Sequence, residues 1–183
     1  SIDDEMLIAL NGLRANFKSG AIRSYESRRN SLLKLKALLL KYEEELYAAL
    51  YADLRKSKEE AWVTELGFVL SEINHTLANL KKWMRPKRVS TNLMNLPSSS
   101  HIYKEPLGVV LIIGPWNYPF QLLFGPLVGA LAAGNAIVLK PSEHAPATTA
   151  VMKKLIADGF SKNEILYIEG DGAVVIPSMM NNF

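Results

Sequence analysis

The pattern of apolar residues changes character near His101, and that change constrains the fold more than any other feature of the chain. Beyond it, short apolar runs alternate with glycine and proline: His101–Glu105, Val109–Ile113, Ile137–Lys140 and Ile165–Ile168. Helix-length stretches, Phe120–Ala133 and Ala147–Phe160, separate the later runs. Strand and helix in alternation predict βαβ units, and hence a parallel sheet, because parallel neighbours need a crossover connection. Val109–Ile113 shows no polar alternation, as expected of a strand covered on both faces. The predicted class is α/β.

Before His101 the period is helical. Ile2, Met6, Leu10, Leu13 and Phe17 recur every three or four residues, which places them on one helical face, and Gly20 ends the run. A second helix starts near Ser24, carries Leu32, Leu35, Leu39, Leu46 and Leu50, and ends near Asp53. A third opens at Ser57 with Glu60 three residues on, a capping-box spacing. Its buried stripe is Trp62, Leu66, Val69, Ile73, Leu77 and Leu80, and Pro86 stops it. The basic run Lys81–Arg88 reads as a solvated helix end, with a phosphate or lipid-surface site as the alternative. Residues 1–100 are therefore expected to form a helical N-terminal region ending in a linker, and 101–183 the α/β part.

Composition excludes several functions. About half of the 183 residues are apolar (49%), enough for a core, and the net charge of +3 is too mild for a nucleic-acid stripe. Cysteine is absent, so neither a disulfide, a thiolate metal site nor a cysteine nucleophile lies within these residues. His75, His101 and His144 have no metal-ligand spacing, and no metal is expected. The N-terminus is acidic and polar, which predicts no leader peptide. The longest apolar stretch, Phe120–Ala133, is about two-thirds of the roughly 20 residues a membrane helix needs. No membrane segment is expected, and a cytoplasmic location is the default.

Two segments just after predicted strands carry chemistry, where open α/β sheets bind ligands. In Gly114-Pro115-Trp116-Asn117-Tyr118-Pro119-Phe120, two prolines bracket Asn117 and stiffen the loop. A stiff loop can hold a side-chain amide as a neutral donor to a developing oxyanion; equally, Asn117 can be a turn residue beside a packed tryptophan. In Lys140-Pro141-Ser142-Glu143, an ammonium and a carboxylate at a crevice mouth could bind a ribose diol. The alternative is a surface lysine and an acid at a helix start. No G-x-G-x-x-G is present, so the ordinary dinucleotide fingerprint is not available.

Taken together, Pro106-Leu107-Gly108-Val109-Val110, Gly114-Pro115-Trp116-Asn117-Tyr118-Pro119, Ala132-Ala133-Gly134-Asn135-Ala136 and Lys140-Pro141-Ser142-Glu143 closely resemble the aldehyde dehydrogenase superfamily in order and spacing. The helical first hundred residues, with Glu26-Ser27-Arg28-Arg29 opening the second helix, look most like its class 3 branch of fatty and aromatic aldehyde dehydrogenases. The resemblance implies a helical N-terminal layer and the first, incomplete part of a parallel cofactor-binding sheet at 101–183. It implies NAD(P)-dependent oxidation of aldehydes to carboxylic acids, with NAD as cofactor, NADP also accommodated, and a homodimer at full length. By position it makes Asn117 the oxyanion donor and gives the adenosine ribose to Lys140 and Glu143, with Ser142 between them. Ile113, Gly114, Pro115 and Trp116 line the cofactor, and Gly172 falls near the adenine end. The family's catalytic cysteine and glutamate fall well beyond Phe183, so the chain alone is expected to be an inactive N-terminal part. Two other readings are a non-catalytic module that binds a nucleotide or partner, and a related acyl-group reductase.

Overall fold

The computed structural model describes residues 2–183, with the side chains of Ile2 and Asp3 left aside; the expected burial of Ile2 therefore lies outside the described residues. The chain is α/β, with most residues helical and a three-stranded parallel sheet near its C-terminal end. The helices are α1 (Ile2–Lys18), α2 (Tyr25–Lys41), α3 (Glu43–Leu54), α4 (Lys58–Ala61), a π-helical turn (Trp62–Leu66) and α5 (Gly67–Trp83). A two-stranded ribbon, β1 (Lys87–Val89) and β2 (Ser100–Ile102), comes next. Then follow β3 (Val109–Ile113), α6 (Gln121–Ala132), β4 (Ala136–Lys140), α7 (Pro146–Gly159), β5 (Ile165–Tyr167) and α8 (Gly172–Met180).

The sheet has the order β3-β4-β5, so β4 is central and β3 and β5 flank it. All five residues of β4 are buried, and its alternation divides the core in two. Ile137 and Leu139 pack among α2, α3, α5, α6 and α7. Ala136 and Val138 face the other way, onto Met6, Leu10 and Leu13 of α1 and Val175 and Met179 of α8. Helices thus cover both faces of the sheet; of the α1 stripe read from the sequence, Met6, Leu10 and Leu13 are buried against it and Phe17 is partly buried.

Several expectations change. The helix expected to run from Ser24 to Asp53 is two helices, because the backbone leaves the helical well at Tyr42 (φ −96°, ψ 8°). The Tyr42 side chain is buried and its hydroxyl donates to Asp158 of α7 at 3.0 Å. Glu43, Glu44 and Glu45 then open α3, where carboxylates favour the positive end of a helix. The leucine stripe passes unbroken from Leu39 to Leu46, which is why the break was invisible. In the third helix Ser57 does accept from the Glu60 N–H at 3.2 Å. Trp62, however, is 40% exposed and not part of the buried stripe. The wide π turn adds a residue, and each residue advances the helix by about 100°. His101–Glu105 does not join the parallel sheet: only its beginning is a strand, paired antiparallel with Lys87–Val89, so the basic run is partly strand. Val109–Ile113 is packed on both faces, with Val110 and Ile112 on the first core and Val109 and Leu111 on the second, yet it is only half-buried because it has a single hydrogen-bonded neighbour and one open edge. Helix α8 was not anticipated.

The turn from α6 into β4 shows why Gly134 is needed. Gly134 N–H bonds the Leu131 carbonyl at 3.0 Å and Asn135 N–H bonds that of Ala130 at 3.1 Å, a Schellman closure with Gly134 at φ 82°. The buried Arg28 guanidinium donates to the Ala132 carbonyl at 3.1 Å, a cation on the negative end of α6. A Cβ at Gly134 would stand 2.7 Å from that guanidinium carbon. Gly134→Ala is expected to destabilise by about 1–2 kcal/mol from the left-handed backbone alone, with more from displacing Arg28. Thermal unfolding should register a fall of several degrees, and an unchanged midpoint would show the turn to be plastic.

Candidate functional site

The sheet register brings the two chemistry-bearing loops together. Ile113 pairs with Lys140 at the carboxyl ends of β3 and β4, and Gly114 N–H continues the ladder to the Lys140 carbonyl at 2.9 Å. The loop 114–120 and the turn 141–145 therefore leave the sheet side by side. Strand β5 ends at the same edge, where Ile168 N–H bonds the Leu139 carbonyl at 2.9 Å, and its loop leads into α8.

In the first loop Ile113 and Trp116 are 46% and 53% exposed, Pro115 and Asn117 are exposed, and Gly114 is buried. Leu123 explains Gly114: a Cβ there would stand 3.0 Å from the Leu123 side chain. Asn117 Oδ1 accepts from Tyr118 N–H at 3.1 Å, a tie within its own turn. Its Nδ2 donates to no described residue, so both amide hydrogens remain available at the sheet edge.

Sequence reasoning missed the two residues beneath this loop. Lys56 and Glu65 form an ion pair at 2.7 Å with side chains 7% and 0% exposed. Lys56 Nζ also donates to the Asn117 carbonyl at 2.9 Å and sits 4.0 Å from the centre of the Tyr118 ring. The second oxygen of Glu65 accepts the Gln121 N–H at 2.7 Å and so caps α6. Burial pushes the Glu65 carboxyl up, against the lowering influence of Lys56 and the helix amides. The available signal was a glutamate one turn before Val69, on an otherwise apolar stripe.

In the second loop Lys140 is not at an open crevice mouth as expected. It is 1% exposed, since it ends a fully buried strand, and its ammonium donates to the Pro141 carbonyl at 2.6 Å and to Glu143 at 3.2 Å. An ammonium has three donors, so one is left over. Ser142 is buried, its carbonyl held by Thr149 Oγ1 at 3.0 Å and its own Oγ by His144 N–H at 3.2 Å. Glu143 is exposed. Its other oxygen accepts Gly172 N–H at 3.0 Å, so this carboxylate sits at the start of α8 and not of α7. A Cβ at Gly172 would meet Glu143 only at ordinary contact distance, 3.4 Å, so what this position supplies within the chain is its N–H. A cavity of about 190 Å³ opens here, lined by Pro141, Glu143, Pro146, Thr149, Glu169 and Gly170. A larger one of about 410 Å³ lies among α2, α5 and α6 and contains none of these residues. No cluster of ligands for a metal occurs among the described residues. No helix among them is long and apolar enough to cross a membrane.

The Gly172 N–H, with Glu143's own amide and Lys140, lowers the Glu143 carboxyl to about 2. The depressed value means that the link to α8 is fully present above the ordinary carboxyl range and lost as pH falls toward 2. At pH 3 carbon NMR should find Glu143 ionised while ordinary glutamates are protonated. Gly172→Pro, at a first-turn position that tolerates proline, should return it toward the ordinary range. A Glu143 midpoint near 4.5 in the wild type would refute the link.

Comparisons with known proteins bear on the family and the fold. The model of the aldehyde dehydrogenase family matches residues 4–183. An aldehyde dehydrogenase of Craterostigma plantagineum is 45% identical over 161 residues, covering 88% of this chain and 34% of that protein. Aldehyde dehydrogenase family 3 member H1 of Arabidopsis thaliana is 44% identical, covering 86% of this chain and 33% of its own length. The substrate-bound structure of Staphylococcus aureus AldH superposes with a TM-score of 0.89 at 42% identity, over 94% of this chain and 37% of that one. Betaine aldehyde dehydrogenase of Staphylococcus aureus, in complex with NAD+, gives 0.80 at 28% identity, over 97% and 34%. An NADP-dependent glyceraldehyde-3-phosphate dehydrogenase of Bacillus halodurans, complexed with NADP, gives 0.82 at 25%, over 97% and 38%. The chain spans about a third of the length of the curated relatives it matches. With the whole described fold and nearly its full length matched, the chain belongs to the aldehyde dehydrogenase family.

Proposed function

We propose that this chain is the part of an NAD(P)-dependent aldehyde dehydrogenase that supplies the oxyanion donor and the adenosine-ribose end of the cofactor cleft. The observation that carries the reading is the pairing of β3 with β4, which sets the Asn117 loop beside Lys140 and Glu143. The chemistry of the donor set fits a nucleotide. Lys140 retains a donor in a buried position, Glu143 offers acceptor lone pairs at the surface, and the cavity beside them is lined by Pro141 and Pro146. A ribose diol needs one donor and one acceptor, and both are present. A nicotinamide cofactor held there by its adenosine ribose would supply the hydride acceptor that aldehyde oxidation needs.

Asn117 acts at the other end of the site. When a thiolate, which the family resemblance assigns to a cysteine outside this chain, adds to the aldehyde carbon, the carbonyl oxygen gains charge. The unpartnered Asn117 Nδ2 hydrogens donate to it. The start of α6 is itself an anion-attracting terminus, but Glu65 already occupies it, which leaves the Asn117 amide as the local donor. For the full-length protein the resemblance favours a homodimer, a cytoplasmic location and aldehydes of the fatty or aromatic kind.

Two variants of the full-length enzyme test these roles. Asn117→Ala should lower kcat and kcat/KM together by about 10²–10³, with little change in KM or NAD affinity. Wild-type kcat with a raised KM would mean that Asn117 only shapes the pocket. Glu143 is ionised and repels a 2′-phosphate, while Lys140 partly offsets it, so NAD is preferred and NADP tolerated. Glu143→Gln should narrow the NAD/NADP ratio in kcat/KM by roughly tenfold, the scale of one charge removed at a few ångströms from water-exposed phosphate. A ratio kept or widened would remove Glu143 as the discriminator.

A further inference from the structure

We propose that Lys56 and Glu65 are positioning residues that clamp the backbone of the Asn117 loop to the start of α6 and thereby aim the Asn117 amide. This rests on the reading of Asn117 as the oxyanion donor.

Asn117 is exposed, and among the described residues its side chain is tied only to the next residue's N–H. Its aim is therefore set by its backbone. Pro115 and Pro119 restrict that backbone but carry no N–H with which to anchor it. The anchor comes from outside the loop. Lys56 grips the Asn117 carbonyl and lies against the Tyr118 ring, Glu65 grips the Gln121 N–H, and the two grip each other. The result is a closed bridge from Asn117 to Gln121 through two buried side chains.

Of the described ion pairs, this is the only one with both side chains buried. Buried ion pairs are often no more stabilising than apolar residues of the same volume. Stability alone therefore gives no reason for charges at Lys56 and Glu65. Geometry does, because an ammonium can hold a carbonyl and a carboxylate together, and the carboxylate can hold a helix N–H on its far side. Neither residue reaches the site surface, so neither is expected to touch substrate or cofactor.

The test uses the full-length enzyme and the neutral double variant Lys56→Met/Glu65→Gln, which leaves no unpaired buried charge and keeps an acceptor for Gln121. It should fold, bind NAD within about twofold of wild type, and lose roughly 10–100-fold in kcat, as displacements near an ångström do. Amide hydrogen exchange over residues 117–122 should quicken at least about tenfold. Placed in the Asn117→Ala background, the same pair of changes should cost no further kcat, because there is no amide left to aim. An equal loss of kcat in both backgrounds, or unchanged exchange over 117–122, would overturn the proposal. If Asn117→Ala itself retains full kcat, the oxyanion reading fails and the exchange measurement alone decides whether the pair positions the loop.

Discussion

The parallel ladder between β3 and β4 is the contact on which the rest of the site depends. Strand β4 is buried along its whole length, with α2, α3, α5, α6 and α7 on one face and α1 and α8 on the other. Its position is thus fixed from both sides. Whatever pairs with it inherits that rigidity. Through Ile113 and Gly114 the ladder delivers the start of the Asn117 loop next to Lys140, at the edge where open α/β sheets present their loops to ligands. The half-buried β3 does not need a second neighbour to be placed; it needs only this one.

Charge is used at the site in a consistent way. Both ion pairs at the two loops are tied to backbone as well as to each other: Lys56 and Glu65 to Asn117 and Gln121, Lys140 and Glu143 to Pro141 and Gly172. Side chains with both kinds of bond fix main-chain positions in loops that regular secondary structure does not reach. The two carboxylates also sit at helix starts, Glu65 at α6 and Glu143 at α8, where the macrodipole favours them. Their surroundings push them apart. Glu65 is raised by burial, whereas Glu143 is held low by amide donors at the surface.

Much of this was readable from local pattern, and the remainder was not, for a physical reason. The alternation from Val109 onward reports burial on a period the chain itself sets, so the strands and the helices α6 and α7 appear nearly where expected. Periodicity cannot report a break that leaves the stripe in phase, as at Tyr42, or a π turn that shifts Trp62 out of it. It also cannot see strands such as Lys87–Val89, whose residues are mostly exposed. The loops carrying Asn117 and Glu143 stood out through proline placement and family resemblance. Lys56 did not, because its partner carbonyl lies 61 positions away and nothing near Lys56 in the sequence marks it. The link from Glu143 to Gly172 was likewise a contact between two residues already singled out, in a form that neither one disclosed alone.

The central claim is that the paired ends of β3 and β4 form one nucleotide-binding edge. Amide hydrogen exchange of the full-length protein with and without NAD tests it most directly. The account predicts protection appearing together at 113–117, 141–145 and 169–173, with the cavity around Arg28 and Ala132 unaffected. Protection at that cavity alone, or at only one of the three segments, would contradict it.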